Sequence, residues 1–275
     1  MSWVRGNGYW ILNVQQKSEI WKDGRFGRGT MSQISAISQN ERYPFKHITL
    51  EKAILKIVGQ YEENHSKDAL ERMGHGVIHE EDARRWYSAS TGKRVMEIGM
   101  AVPDFEWYLG ASPDGVIMDD SGQIINSGPD NGIIEIKCPK KMYADLTRYQ
   151  YQRKLQLSEF IDHGKIGQFE RLYSHIKHYH YDQMQGCMAV MKKDWCDYIV
   201  YATDSKQIFI ERIPFDPNYW WHDLFPRVKT VIEMAIKPLL TNSLRKPMFP
   251  PSYSNTEEIS LGYEFPLGSS SMVTT

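Results

Sequence analysis

Two short segments carry residues whose types and spacing could do chemistry. One is a Ser-Pro-Asp-Gly turn that contains Asp114, and the other is the apolar run 133–138, which contains Glu135 and Lys137. Side chains alternate along a strand, so Glu135 and Lys137 would share one face while Cys138 and the isoleucines share the other. A buried charge is costly unless it is paired or bound to a metal. If the two segments pair as strands, Asp114 and Glu135 converge beside the lysine.

The chemistry that this group indicates is phosphodiester hydrolysis. Asp114, Glu135 and the backbone carbonyl of Ile136 would form a hard oxygen site for one or two Mg²⁺ or Mn²⁺ ions, with positions open for water and phosphate. The metal would polarise a phosphoryl oxygen and activate a bound water. Lys137 would orient or help deprotonate that water, or stabilise the developing charge. The alternative is a surface strand with an ordinary Glu–Lys pair, because such a string also arises by chance.

Glu80 is a polar side chain within the buried stripe of a predicted helix at 76–89. The helix turns by 100° per residue, which places Glu80 inside this stripe and turns Glu81, Asp82 and Arg85 away from it. Glu80 could form an ion pair with Arg84 at i+4, or it could be a third carboxylate directed at the metal site. The stripe consists of Gly76, His79, Ala83, Trp86 and Tyr87, and the poor fit of Val77 and Ile78 predicts cover on a second side.

Gln183 has a similar position on a second predicted helix, at 174–193. It falls within an apolar stripe, while Asp182, Gln185 and Gly186 are predicted on the opposite side. An inward-facing amide needs hydrogen-bond partners. Gln183 is therefore either a satisfied core residue or a group that positions water or phosphate near the metal.

The remaining elements predict one mixed sheet flanked by helices, in a single domain at 1–246 with a core at 76–215. Thr49 is expected to cap a helix, residues 1–48 to form short helices at best, and 119–132 to be a loop. Residues 247–275 are expected to be a tail or arm. Strands are predicted at 107–109, 116–118, 133–138, 198–202 and 208–213, the last two as a hairpin, and further helices at 141–160 and 219–237.

Composition limits the class of protein. The 275 residues are 41% hydrophobic, which is enough for one substantial core. The net charge of −1 argues mildly against a nucleic-acid partner, although a local basic surface would suffice. Three cysteines without a C-x-x-C pair argue against a disulfide framework, a zinc ribbon and an iron–sulfur cluster. They favour a reducing, intracellular location. We expect no signal peptide, no membrane span and no membrane partner.

Four separated segments, taken together and in order, resemble the lambda-exonuclease, or YqaJ-type, family of viral recombination exonucleases in the PD-(D/E)xK nuclease superfamily. They are 25–32, 76–84 with Thr91-Gly92, 112–115 followed by 135–139, and 183–185. The resemblance implies an α/β, restriction-endonuclease-like fold with a mixed central sheet flanked by helices. It implies a metal-dependent 5′-to-3′ exonuclease on double-stranded DNA, which leaves single strands for viral recombination in an infected host cell.

The resemblance also implies roles for particular residues. Asp114, Glu135 and the Ile136 carbonyl are similar to the family's metal ligands, and Lys137 to its catalytic lysine. An arginine fork, hydroxyls and N–H groups at a helix start together suit phosphate, and a plain basic turn is the alternative. Glu80 resembles the family's helix carboxylate near the site, and Gln183 resembles the residue that places the water. Arg25, Thr30 and Ser32, within segment 1–48, resemble the 5′-phosphate pocket. Met73 resembles the wedge that splits the duplex.

Two departures from the family affect what can be carried over. The stretch between Asp114 and Glu135 is longer than in compact members, so loop 119–132 is an insertion that would reshape the DNA channel. The tail after residue 247 has no counterpart, which bears on the family's ring-shaped homotrimer. A single-strand annealing protein is a further partner that the resemblance implies. A structure- or sequence-specific endonuclease, or a non-catalytic module that binds DNA ends, are the alternatives.

Overall fold

The computed structural model describes residues 3–38, 48–138, 178–203 and 207–251. The strands are β1 (Trp3–Arg5), β2 (Tyr9–Leu12), β3 (Gly29–Thr30), β4 (Arg94–Met96), β5 (Met100–Pro103), β6 (Leu109–Gly110), β7 (Gly115–Met118), β8 (Gly132–Lys137), β9 (Trp195–Ala202) and β10 (Gln207–Pro214). The helices are α1 (Glu19–Arg25), α2 (Ile34–Ile37), α3 (Leu50–Ile57), α4 (Lys67–Thr91) and α5 (His178–Met191), followed by a closing helix α6. Helix α6 alternates π-helical stretches (Tyr219–Leu224, Ile232–Ile236) with α-helical ones (Phe225–Val231, Lys237–Thr241).

A five-stranded mixed sheet with strand order β10-β9-β8-β7-β4 forms the centre of the molecule. Strands β8 and β9 are parallel, and the other neighbours in this sheet are antiparallel. A three-stranded antiparallel sheet, β1-β2-β5, and the short parallel pair β3-β6 lie beside it. The predicted fold class, a mixed central sheet flanked by helices, is confirmed.

Strand β8 is buried on both faces because helices cover each side of the sheet. Ile134 and Ile136 pack with Ala83 and Tyr87 of α4 on one face. Ile133 belongs to the larger apolar cluster on the other face, to which α5 contributes most of its length. The alternation predicted for this strand therefore holds, with Glu135 on the α5 side of the sheet.

Helix α4 is longer than the predicted helix at 76–89. Ser66 caps its start, and Gly92 ends it in the left-handed conformation, with φ 69°. Its first turns carry exposed apolar side chains, so no buried stripe reveals them in the sequence. Trp86, predicted in the buried stripe, is exposed, and so are Val77 and Ile78, for which cover was predicted.

Several other predicted elements are confirmed. Thr49 caps α3 by accepting a hydrogen bond from the backbone N–H of Lys52. The strands predicted at 198–202 and 208–213 are the antiparallel pair β9 and β10. Of the helices within the described ranges, none combines the length and apolarity that a bilayer crossing requires.

The described part of segment 1–48 contains the short helices α1 and α2, as predicted, but also the β1–β2 hairpin, which was not predicted. These strands are three and four residues long, which is too short for an alternating pattern to show. The strand predicted at 107–109 begins only at Leu109, since residues before it form a turn. The helix predicted at 141–160 and the first residues of the one at 174–193 lie outside the described residues.

The loop 119–132 is held to the sheet by a buried ammonium group. The Nζ atom of Lys193 donates to Oδ1 of Asn131 at 3.0 Å, to Oδ1 of Asn126 at 3.4 Å and to the carbonyl of Ile125. Burial lowers the pKa of Lys193 to about 8. Loop 119–132 is therefore tied to one place on the molecule.

Residues 247–251 lie against the N-terminal part of the domain through Arg28, which is fully buried. Its guanidinium donates to the carbonyl of Gly24 at 2.6 Å, to that of Trp107 at 3.0 Å and to that of Met248. Burial lowers the pKa of Arg28 to about 9. One side chain thus joins three distant segments.

Candidate active site

Asp114, Glu135 and Lys137 meet at one end of β7 and β8. Gly115 pairs with Ile134 in antiparallel register, which brings the preceding Asp114 to the level of Glu135. The Oδ2 atom of Asp114 accepts a hydrogen bond from the backbone N–H of Ile136 at 2.6 Å. Glu135 is only 2% exposed, and the Nζ atom of Lys137 donates to its Oε1. The two segments singled out in the sequence therefore form one cluster.

The charges in this cluster strongly perturb one another. Burial, together with the nearby charge of Glu135, raises the pKa of Asp114 to about 8. Burial also raises the pKa of Glu135, against the opposing effect of Lys137. Burial alone would lower the pKa of Lys137, but Glu135 and Asp114 more than offset this and raise it. The lysine is therefore a stable cation between two acids that are costly to ionise.

A divalent cation fits this donor set. A buried and a half-buried carboxylate that repel each other lose that penalty when a cation lies between them, and hard oxygen ligands suit Mg²⁺ or Mn²⁺. Within the described ranges, no group of three or more His, Cys, Asp or Glu side chains is arranged to hold a metal ion. The protein ligands would thus be Asp114 and Glu135, completed by a backbone carbonyl such as that of Ile136 and by water.

Glu80 lies on α4 close to this cluster, since its negative charge contributes to the raised pKa of both Asp114 and Glu135. Its ion-pair partner is Lys17, with Nζ and Oε2 2.9 Å apart. The ion pair with Arg84 considered from the sequence was wrong. Arg84 instead pairs with Glu81 and Glu97 and donates to the carbonyl of Asp114 at 3.0 Å.

Gln183 reaches the same cluster from α5, where it donates a hydrogen bond to the Glu135 carboxylate and so lowers the pKa of Glu135. The structure therefore brings Glu80, Gln183, Asp114, Glu135 and Lys137 together from two helices and two strands. Four of these side chains are ionisable, and Gln183 supplies a neutral donor among them.

The opposite side of α5 differs from its prediction, because Asp182 and Gln185 are both buried. Asp182 accepts hydrogen bonds from Ser35 at 2.5 Å and from the hydroxyl of Tyr219. Gln185 donates to the carbonyl of Pro214 at 2.9 Å and accepts from the backbone N–H of Asp216 at 2.8 Å. Elements on every side cover this helix, so apolar periodicity alone could not separate its faces.

Arg25, Thr30 and Ser32 form a second polar cluster at the end of α1. One guanidinium nitrogen of Arg25 donates to Oγ1 of Thr30 at 2.9 Å and to Oγ of Ser32 at 3.2 Å. Its guanidinium lies 4.4 Å from the ring centre of Trp21. Burial lowers the pKa of Arg25 to about 10, which leaves it positive at neutral pH. A partly buried cation beside two hydroxyls is suited to an oxyanion.

Trp21 connects this cluster with the acidic one, a link that the sequence analysis missed. Its indole Nε1 donates to Oγ of Ser112 at 3.1 Å, and Ser112 lies two residues before Asp114. The spacing of Trp21 and Arg25, four residues apart on one helix, is a signal for a cation–π contact. Nothing local in the sequence pairs Trp21 with Ser112.

Met73, the expected wedge, lies on the exposed side of α4 and is 53% exposed. Leu70 and Val77 are exposed on the same side of this helix. The structure therefore places Met73 outside the acidic cluster, on the helix that carries Glu80.

The mixed sheet, with its acids and lysine at the end of two central strands, defines a nuclease-type α/β fold. An alkaline exonuclease from Laribacter hongkongensis has a similar structure, with a TM-score of 0.51 and 24% identity, over 81% of this chain and 96% of that one. A structure of LHK-Exo in complex with dAMP gives a TM-score of 0.51 and 24% identity over 82% of this chain and 97% of that one. No curated protein matches the sequence significantly.

The family is shown by the sequence itself. Residues 20–194 match the model of the YqaJ-like viral recombinase domain, a range that includes both polar clusters. The chain therefore belongs to the YqaJ-like viral recombinase domain family, and the resemblance stated from the sequence is confirmed.

Proposed function

We propose that this protein is a metal-dependent exonuclease that degrades one strand of double-stranded DNA from its 5′ end. The observation that carries the proposal is the meeting of Asp114, Glu135 and Lys137 in one cluster, in which Glu135 is buried and the other two are half-buried, linked through Trp21 to the cation of Arg25. The fold shared with an alkaline exonuclease and the family membership support a DNA substrate.

Each residue has a distinct task in this proposal. Asp114 and Glu135, with the Ile136 carbonyl, would hold Mg²⁺ or Mn²⁺, as one ion or two, and the metal would supply an activated water and polarise the phosphoryl oxygen. Lys137 would orient the attacking water or, as a cation, stabilise charge on the phosphate. Gln183 and Glu80 would orient the water and the metal's outer ligands.

The direction of digestion follows from the second cluster. We assign Arg25, Thr30 and Ser32 to binding of the 5′-terminal phosphate, because a cation with two hydroxyls recognises a phosphate monoester. With the terminal phosphate held there, the next linkage is presented to the acids. Met73, exposed on α4, is assigned to separating the strands at the duplex end.

The catalytic assignment is tested on linear duplex DNA labelled separately at its 5′ and 3′ ends. Asp114→Ala, Glu135→Ala and Lys137→Ala should each lose cleavage by at least about a hundredfold, the scale expected for groups that act on the transition state, while DNA ends still bind. Asp120→Ala, which changes an exposed loop residue, is the matched control. Full activity in EDTA, or retained activity in Lys137→Ala, would contradict the mechanism.

The pocket assignment is tested by comparing duplexes with a 5′-phosphate and a 5′-hydroxyl end. The intact protein should prefer the phosphate, and Arg25→Ala should remove that preference. Lys22→Ala, an exposed cation on the same helix, should keep it. Equal rates of the intact protein on both ends would contradict the 5′-phosphate pocket but leave the nuclease assignment intact.

A covalently closed circular duplex separates exonuclease from endonuclease. Cleavage of the circle would favour a structure- or sequence-specific endonuclease of the same fold, and binding without any nucleotide release would favour a non-catalytic DNA-end module. The remaining proposals from family membership are viral recombination in an infected host cell, a single-strand annealing partner and a homotrimer. The change in composition near residue 247 supports a nuclease domain at 1–246 with a tail or arm at 247–275, whose first residues pack against Arg28.

A further inference from the structure

A turn at residues 15–18 is fixed against the acidic cluster. The side-chain amide of Gln16 donates to the carbonyl of Pro113 at 3.0 Å and to that of Ile98 at 2.8 Å. Pro113 directly precedes Asp114, so the turn is held one residue from a proposed metal ligand. Ser18, at the end of the turn, caps α1.

Lys17, in the middle of this turn, has an unusual backbone conformation. Its φ is 66°, in the left-handed region, where a residue with a Cβ is strained and glycine is preferred. The strain is held by the hydrogen bonds of Gln16 and directs the lysine towards α4. There its Nζ lies 2.9 Å from Oε2 of Glu80.

The ion pair between Lys17 and Glu80 does not account for that conformation. The side chain of Lys17 is 47% exposed and that of Glu80 is 26% exposed. An ion pair this exposed contributes little to stability, because water and salt screen it. The ammonium can therefore leave Glu80 at small cost when a stronger anion arrives.

We propose that Lys17 is a substrate-positioning residue that exchanges Glu80 for a backbone phosphate of the DNA strand being degraded. This inference rests on the proposed function. The turn that carries Lys17 is bound to Pro113, and Trp21 of the following helix is bound to Ser112, so a strand whose 5′ phosphate occupies the Arg25 cluster and whose next linkage lies at the acids has its backbone beside this turn. A flexible ammonium binds a single phosphate oxygen without a fixed approach angle. A metal at the acids would satisfy Glu80 in its place.

The test uses Lys17→Met and Lys17→Arg in the full chain, with Lys22→Met as the matched control. Binding of a 5′-phosphorylated duplex end is measured with Ca²⁺ in place of Mg²⁺ over a range of salt concentrations, and cleavage is measured in single turnover at saturating enzyme. For Lys17→Met we expect binding weakened roughly five- to twentyfold, and a slope of log affinity against log salt smaller by about 1. The single-turnover rate should change less than about threefold, since the acids are intact.

Lys17→Arg should retain most of the affinity, and Lys22→Met should behave as the unaltered protein. Substrates with one neutral methylphosphonate at each of the first three linkages then locate the contact. At one of these linkages the methylphosphonate should weaken binding by the unaltered protein. The same substitution should not further weaken binding by Lys17→Met.

Unchanged affinity and salt slope in Lys17→Met would overturn the proposal. A slower single turnover with unchanged binding would also overturn it, because Lys17 would then act only by placing Glu80. If the unaltered protein cleaves no DNA, the proposed function fails, yet the binding comparison still decides the role of Lys17.

Discussion

Replacing Asp114 by asparagine should make the metal-free protein more stable at mildly alkaline pH, although it removes a proposed metal ligand. Asparagine keeps an oxygen that can accept the hydrogen bond from the N–H of Ile136. It removes a negative charge that is buried beside Glu135. The change therefore isolates the electrostatic cost of the acid pair from its hydrogen bonding.

The magnitude follows from the raised pKa of Asp114. Folding moves this pKa from 3.8 to about 8, so between those values the folded protein holds a proton that the unfolded chain has lost. Stability then falls as pH rises. From about pH 5 to about pH 8 the loss is roughly 4 kcal/mol at about 1.4 kcal/mol per pH unit. In a chain of this size that corresponds to roughly 10 °C in Tm.

The assay is thermal unfolding in EDTA at a series of pH values, for the unaltered protein and for Asp114→Asn. The unaltered protein should lose stability over this range, and Asp114→Asn should lose much less, because asparagine has no proton to release. Asp120→Asn, in the exposed loop, is the control and should follow the unaltered protein. Adding Mg²⁺ at about pH 8 should raise the Tm of the unaltered protein and leave that of Asp114→Asn nearly unchanged.

Parallel pH profiles of the unaltered protein and Asp114→Asn would refute the reasoning, since the carboxylate would then carry no penalty on ionisation. An equal Mg²⁺ response in both proteins would separately refute Asp114 as a ligand.

Three further changes test the framework around the site. Tyr87→Phe removes the hydroxyl that donates to Asp197 at 2.6 Å and should lower the free energy of unfolding by about 1–2 kcal/mol, measured in urea; no change would mean that Arg212 alone satisfies Asp197. Lys193→Met should cost about 2–4 kcal/mol and speed amide exchange in loop 119–132; protection equal to that of the unaltered protein would show that the loop is held elsewhere. Arg28→Met should cost about 3 kcal/mol and expose residues 247–251 to protease, whereas an unaltered cleavage pattern would contradict the anchoring role.

Strands β8, β9 and β10 could be predicted because they are six to eight residues long and rich in β-branched and aromatic residues, and because alternation assigns the faces of β8. Strand β4 of the same sheet has three residues and was not predicted. The facing of Glu135 and the position of Asp114 at a strand end both followed from that local pattern. The buried Asp182 and Gln185 could not be predicted, since a helix covered on all sides leaves no polar face from which to tell inside from outside. Their partners, Ser35 and Pro214, come from distant parts of the chain.

The same distinction applies to the candidate site. The residue types of Asp114, Glu135 and Lys137 predicted a metal-dependent hydrolytic site. The family resemblance favoured a role at that site for Glu80 and Gln183. The contact of Lys17 with Glu80 spans 63 positions of the sequence, and that of Trp21 with Ser112 spans 91, so both depend on the assembled fold. The spacing of residues along the chain therefore could not predict these two contacts.

The buried guanidinium of Arg28 has a consequence for how the protein is made. Its carbonyl partners include Gly24, next to Arg25, and Met248, close to the end of the described chain. During synthesis, residues 24–28 are made long before residue 248, so the Arg28 guanidinium lacks its Met248 carbonyl partner until residue 248 has left the ribosome. We therefore expect the cluster around Arg25 to reach its final structure late in synthesis. Shortened products that stop before residue 247 should leave this cluster incompletely folded.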